Sequence, residues 1–111
     1  MSIDTIIDEH GLVPVADIFS SEGYDWSNIA VFYKPDARRF FWNQDGGCSC
    51  YGPGEYVDNL GDLEDGNRAA AIEALRSFSP YDEHDMSRWT DEKEREIRKV
   101  RNFRYVAPET D

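Results

Sequence analysis

Two thiols two residues apart are the part of this sequence best suited to chemistry. They lie in the stretch Asp45-Gly46-Gly47-Cys48-Ser49-Cys50-Tyr51-Gly52-Pro53-Gly54. Structural zinc takes four ligands, commonly from two cysteine knuckles or from one knuckle and two histidines. The chain has two cysteines in all, and its two histidines, His10 and His84, form no spaced pair. Cys48 and Cys50 are therefore candidate zinc ligands only if remote histidines or carboxylates complete the shell. A disulfide between them would close a small, strained and easily reduced ring. A nucleophilic thiol needs a base beside it to lower its pKa, and no local His, Asn or Asp arrangement announces one. The structural reading needs least: Gly46, Gly47, Gly52 and Gly54 permit positive φ, so the chain bends sharply here while the cysteines pack as small hydrophobes.

A second cluster consists of acids, Asp58, Asp62, Glu64 and Asp65. It lacks the alternation and terminal Glu of a calcium-binding EF-hand loop. It reads as a solvated face and as a candidate contact surface for another protein. Gly52-Pro53-Gly54 lacks the Gly-Lys-Ser/Thr ending of a phosphate-binding loop. The aromatic run Phe32, Tyr33, Phe40, Phe41, Trp42 has the composition of a base-stacking platform, but only Lys34, Arg38 and Arg39 lie near it, so core packing is the default. No catalytic set is apparent, and no residue is assigned a catalytic role.

The elements that must position these residues follow from periodicity. Residues 2–10 predict a short helix with Ser2 as cap, a stripe of Ile3, Ile6 and Ile7, and Gly11 as stop. Residues 12–19 contain Pro14 and suit an edge strand or an extended connector. Residues 20–27 read as a polar turn region. Ile29–Tyr33 and Arg39–Trp42 are strand signals joined by a Pro-Asp turn, with Pro35 at the second turn position. Glu55–Leu63 suggests a short helical turn. Asn67–Phe78 predicts a helix, buried through Ile72, Leu75 and Phe78 and stopped by Ser79-Pro80. Residues 81–88 read as a linker. A last helix over about residues 90–104, capped by Thr90, offers an apolar stripe of Trp89, Ile97, Val100 and Phe103.

The 111 residues suit a single domain, and 40% hydrophobic residues suffice for a modest core. The net charge of −11 disfavours nucleic acid and anionic membranes at long range. Residues 1–92 hold nineteen acids and six bases, while residues 93–111 hold four acids and six bases. No stretch is apolar enough to span a bilayer, and the N-terminus lacks a basic start and apolar run, so a cytoplasmic location with reduced thiols is expected.

From Ile29 to Phe78 the sequence resembles a family of small proteins carrying a domain of unknown function, found in phages of actinobacteria and in actinobacteria. The shared pattern is an aromatic hairpin, the Gly-Cys-Ser-Cys element, an acidic segment and Asp65-Gly66-Asn67-Arg68-Ala69-Ala70 opening a helix. The resemblance implies a phage-type source and a common domain, not a mechanism. The N-terminal helix and the basic C-terminal helix fall outside it.

The expected fold is α+β, a hairpin or three-stranded antiparallel sheet packed against two or three helices in one domain over residues 1–111. The expected function is a non-enzymatic, cytoplasmic accessory protein whose acidic surface binds a host or phage protein with a basic surface. A host-factor inhibitor is its sharpest form. The alternative is a small metal- or redox-dependent module, with zinc as the metal, centred on Cys48 and Cys50. Nucleic acid and membrane are not expected partners.

Overall fold

Alternating apolar residues build the middle of a sheet, and the helices take their places from where those residues point. A computed structural model describes residues 3–22, 24–48, 52–79 and 86–105. Ser2, Gly23, Cys50, Tyr51, Pro80 and residues 81–85 lie outside them. The protein is an α+β domain, ordered α1 (Ile3–His10), β1 (Val13–Glu22), β2 (Asp25–Lys34), β3 (Arg39–Cys48), a short 3-10 turn (Leu60–Asp62), β4 (Glu64–Gly66), α2 (Arg68–Ser77) and α3 (Met86–Asn102). The sheet is antiparallel, and its spatial order β1-β2-β3-β4 repeats the sequence order.

The strands run further than apolar character alone suggests. Residues 20–27 are ladder, not a turn region, with Ser20 opposite Ser27, Ser21 opposite Trp26 and Glu22 opposite Asp25. The polar side chains are satisfied within the sheet, which is why they are tolerated there. Ser20 Oγ and Ser27 Oγ lie 2.8 Å apart. Buried Asn28 donates to Asp17 Oδ1 at 2.7 Å and to the Ile18 carbonyl at 2.9 Å.

The sharp bend expected at Gly46 and Gly47 is likewise corrected. Both are strand residues, paired with Ser27 and Trp26. Backbone pairing needs no side chain, and a Cβ on Gly46 would lie 3.2 Å from the Trp26 carbonyl oxygen. Among the described residues of this stretch, a positive φ occurs at Gly54 (+74°). Gly54 also abuts the Ile3 side chain, and Ile3 N donates to its carbonyl at 2.9 Å. The β2–β3 loop is a turn as expected, but Pro35 takes its first position, with Arg38 N donating to the Pro35 carbonyl at 3.3 Å and Arg38 at φ +53°.

α1 ends at Gly11, φ +62°, where Leu12 N donates to the Ile7 carbonyl at 3.0 Å. That bond and the left-handed glycine close the helix in a Schellman arrangement. Asn67 caps α2 by accepting from Ala70 N at 2.9 Å. α3 begins at Met86, so Thr90 lies inside it and does not cap it. The extra turn carries Trp89, 2% exposed, into the core.

Both faces of the sheet are covered. On one face α2 and α3 bury Ala71, Leu75, Phe78, Trp89, Ile97 and Val100 against Ile18, Ile29, Val31, Phe40 and Trp42. The fully buried stripe of α2 is Ala71, Leu75 and Phe78, and Ile72 is half-buried beside it. On the other face α1 and the segment after β3 bury Ile6, Leu12, Val57 and Leu63 against Phe32 and Phe41. Had helices covered one side alone, Trp42 or Phe41 would be part-exposed, because neighbours on a strand point to opposite faces. They are 6% and 8% exposed, since each face has its own small core.

Candidate functional site

Of the four acids singled out in the sequence, Asp58 and Asp62 lie on the layer that covers the Phe32–Phe41 face, while Glu64 and Asp65 belong to β4, where Asp65 shares the face of Phe41 and Glu64 the opposite face of Trp42. Asp62 Oδ2 accepts from Asp58 N at 2.9 Å and from Asn59 N at 3.2 Å, closing the 3-10 turn. Glu64 Oε2 accepts from the Trp42 indole N–H at 2.8 Å. Asp65 pairs with Arg39 at 2.8 Å. Asp58, Asp62, Glu64 and Asp65 all remain solvent-exposed.

α1 adds acids that sequence reading passed over. Its inner stripe turns Asp4, Asp8 and Glu9 outward, and the Ile3–Gly54 bond holds it against the segment carrying Glu55 and Asp58. Together residues 3–12 and 52–65 contain eight Asp and Glu and no Lys or Arg. The signal was available, because residues 1–33 and 40–67 carry no Lys or Arg at all. It is spread over two stretches that only the fold brings together. Tyr56 sits in this layer, 70% exposed.

The opposite layer differs. α2 and α3 together carry eight Lys and Arg against five Asp and Glu. The charge split read along the chain is therefore also a split across the sheet. Part of the basic charge is used internally. Arg68 donates to the carbonyls of Val100 and Phe103 at the end of α3 and lies over the Phe40 ring. Lys99 and Arg95 lie 2.7 and 3.5 Å from Glu96 Oε2. Arg98, Arg101 and Arg104 are exposed.

Buried Glu96 was also missed, and its other oxygen, Oε1, accepts from Asp17 N at 2.9 Å. A shallow open cleft of about 180 Å³ lies there, lined by Pro14, Val15, Ala16, Asp17, Glu96 and Lys99. It is smaller than the roughly 300–1,000 Å³ of usual small-molecule sites.

Cys48 is the last residue of β3, opposite Asp25, and Cys50 lies outside the described residues. Among the described residues no three His, Cys, Asp or Glu side chains converge as metal ligands would. No helix among them is long and apolar enough to cross a membrane.

Residues 1–105 match a family described as Domain of unknown function (DUF7574). The chain belongs to that family. The DUF7574 match takes in α1 and α3, which the sequence resemblance over residues 29–78 left outside. Both acidic halves of the α1 layer are thus part of the DUF7574 domain. No curated protein and no solved structure matches the chain significantly.

Proposed function

We propose that the DUF7574 domain is a non-enzymatic binding module whose α1 layer receives the basic surface of another protein. The observation that carries this reading is the set of seven carboxylates, Asp4, Asp8, Glu9, Glu55, Asp58, Asp62 and Asp65, gathered on one face of the sheet from two separate stretches that hold no Lys or Arg, with Arg39 of β3 pairing to Asp65 at its margin. Like charges four apart on a helix, as at Asp4 and Asp8, cost a few tenths of a kcal/mol. A cationic partner relieves that repulsion. Exposed Tyr56 offers the kind of aromatic anchor that dominates interface energetics. The wider setting fits an accessory protein of phage type acting on a host or phage protein in the cytoplasm, an inhibitor in its sharpest form. On this reading Cys48 and Cys50 are structural.

The test compares what immobilised protein captures from host lysate with what its Asp4→Asn, Asp8→Asn, Glu9→Gln variant captures. A specific partner should be lost in the variant, and its association should slow as salt rises from about 50 to 200 mM. Duplex DNA and single-stranded RNA are titrated alongside. Sub-micromolar nucleic-acid binding that disappears in an Arg98→Glu, Arg101→Glu, Arg104→Glu variant would move the function to the basic helix. Stoichiometric zinc, lost in Cys48→Ser, Cys50→Ser, would move it to the thiols.

A further inference from the structure

β1 is an edge strand, and its two halves are treated differently. The first half carries the devices that stop a sheet edge from pairing with another chain. Pro14 has no N–H to offer, the register shifts between Pro14 and Ala16, and Glu96 Oε1 occupies the outward N–H of Asp17. In an antiparallel ladder, alternate residues turn their N–H and C=O to the same side. The Asp17 N–H points away from β2, and the register from Asp17↔Ala30 to Glu22↔Asp25 is regular. The N–H and C=O of Phe19 and Ser21 therefore also face outward. Among the described residues no hydrogen bond occupies them. Among the described residues the defences end at Asp17, and the second half of the edge is open.

The surroundings of that open half have a definite character. The side chains of Asp17 and Phe19 are exposed, and Phe19, 45% exposed, stacks on Trp26 at a centroid distance of 6.2 Å. Residues 13–33 carry Asp17, Glu22 and Asp25 and no Lys or Arg. We infer that the outer edge of β1, residues 18–22, receives an extended basic segment of a partner protein as a fifth strand. Main-chain bonds to Phe19 and Ser21 would hold it. Its alternate side chains would pack on Phe19, and its cations would meet the carboxylates of the hairpin. Charge selects this occupant over a second copy of the chain. Pairing β1 with β1 would bring the acids of two hairpins together in molecules of net charge −11. This edge is a different surface from the α1 layer, and either assignment can fail without the other.

The probe is a synthetic peptide alternating Lys with Val, compared with its counterpart alternating Glu with Val. Amide exchange is followed by NMR on the whole chain. The Lys peptide should slow exchange at Phe19 and Ser21 by at least about tenfold, and the Glu peptide should not. Ser21→Pro removes one outward donor at a position where edge strands accept proline. It should weaken the Lys peptide at least about tenfold while leaving the circular dichroism unchanged. Neutralising Asp4, Asp8 and Glu9 should leave this protection in place, which separates the edge from the α1 layer. Unchanged exchange at Phe19 and Ser21 with about 1 mM Lys peptide would overturn the assignment. So would protection there that grows with protein concentration alone, because it would give the edge to a second copy.

Discussion

Arg68 projects from the first turn of α2 into the C-terminal turn of α3. It donates to the Phe103 carbonyl and adds a second donor to the Val100 carbonyl, which also accepts from Phe103 N at 3.3 Å, brings a cation to the negative end of the helix, and covers the Phe40 ring. Arg68→Ala should lower stability by about 2–3 kcal/mol, the range for hydrogen bonds to charged groups plus a dipole contribution. Arg68→Lys should recover only part, because an ammonium lacks the planar fork. Urea midpoints with an unchanged slope measure both, and an alanine variant within about 0.5 kcal/mol of wild type would show the clamp to be idle. The sequence displayed Arg68 within Asp-Gly-Asn-Arg-Ala-Ala but not its work, since its partners lie 32 and 35 residues away. Gly54 was legible as a permissive position. The tight contact with Ile3 was not, because it depends on where α1 packs. Gly54→Ala should cost about 2 kcal/mol or more, combining a positive φ of 74° with overlap on Ile3.

The strand cores at Ile29–Tyr33 and Arg39–Trp42, and the helices around Ile6 and Leu75, were readable because apolar residues keep the period of their element. The strand extensions were not. Ser20, Ser27, Asn28, Gly46 and Gly47 join the sheet through hydrogen bonds to one another's strands, for which no residue-by-residue pattern exists. Glu96 was not singled out, since nothing local announces its tie to Asp17. Of the acidic layer, the half near Asp62 was legible and the α1 half was not. Glu96→Ala should detach α3 from the edge of β1, raise amide exchange at Asp17 by at least about tenfold and lower stability by about 1–3 kcal/mol. Ile6→Ala should cost about 2–4 kcal/mol by opening the smaller core over Phe32 and Phe41. Lys93 adds a pH signature. Its ammonium donates to the Arg76 carbonyl at 2.9 Å, and burial holds its pKa below the usual 10.5. The unfolded chain thus keeps this proton longer than the folded one, so stability gains as pH rises between the lowered value and 10.5. The stability of wild type relative to Lys93→Met should move in favour of wild type across that window. A difference flat with pH would count against it.

For the molecule as a whole, the acidic α1 layer and the basic-rich α2–α3 layer sit on opposite faces of one sheet. Repulsion within the acidic layer is exposed and therefore screened by salt. The urea midpoint should rise between about 20 and 300 mM NaCl, and a fall would indicate that attraction between the layers outweighs it. The strand order carries a different consequence. β1, β2 and β3 pair in sequence order, so each hairpin closes a short loop, whereas the Asp17–Glu96 bond joins residues 79 apart. Closing the longer loop costs more chain entropy, which places the docking of α3 late in folding. Loss of Glu96 should then speed unfolding and leave the folding rate nearly unchanged. During synthesis the meander emerges before its cover does. Until α3 has left the ribosome, Ile18, Ile29 and Val31 have only α2 to shield them, and the whole edge of β1 lies bare. The nascent chain is most vulnerable to chaperone capture, or to strand exchange with a neighbouring nascent chain, in that interval.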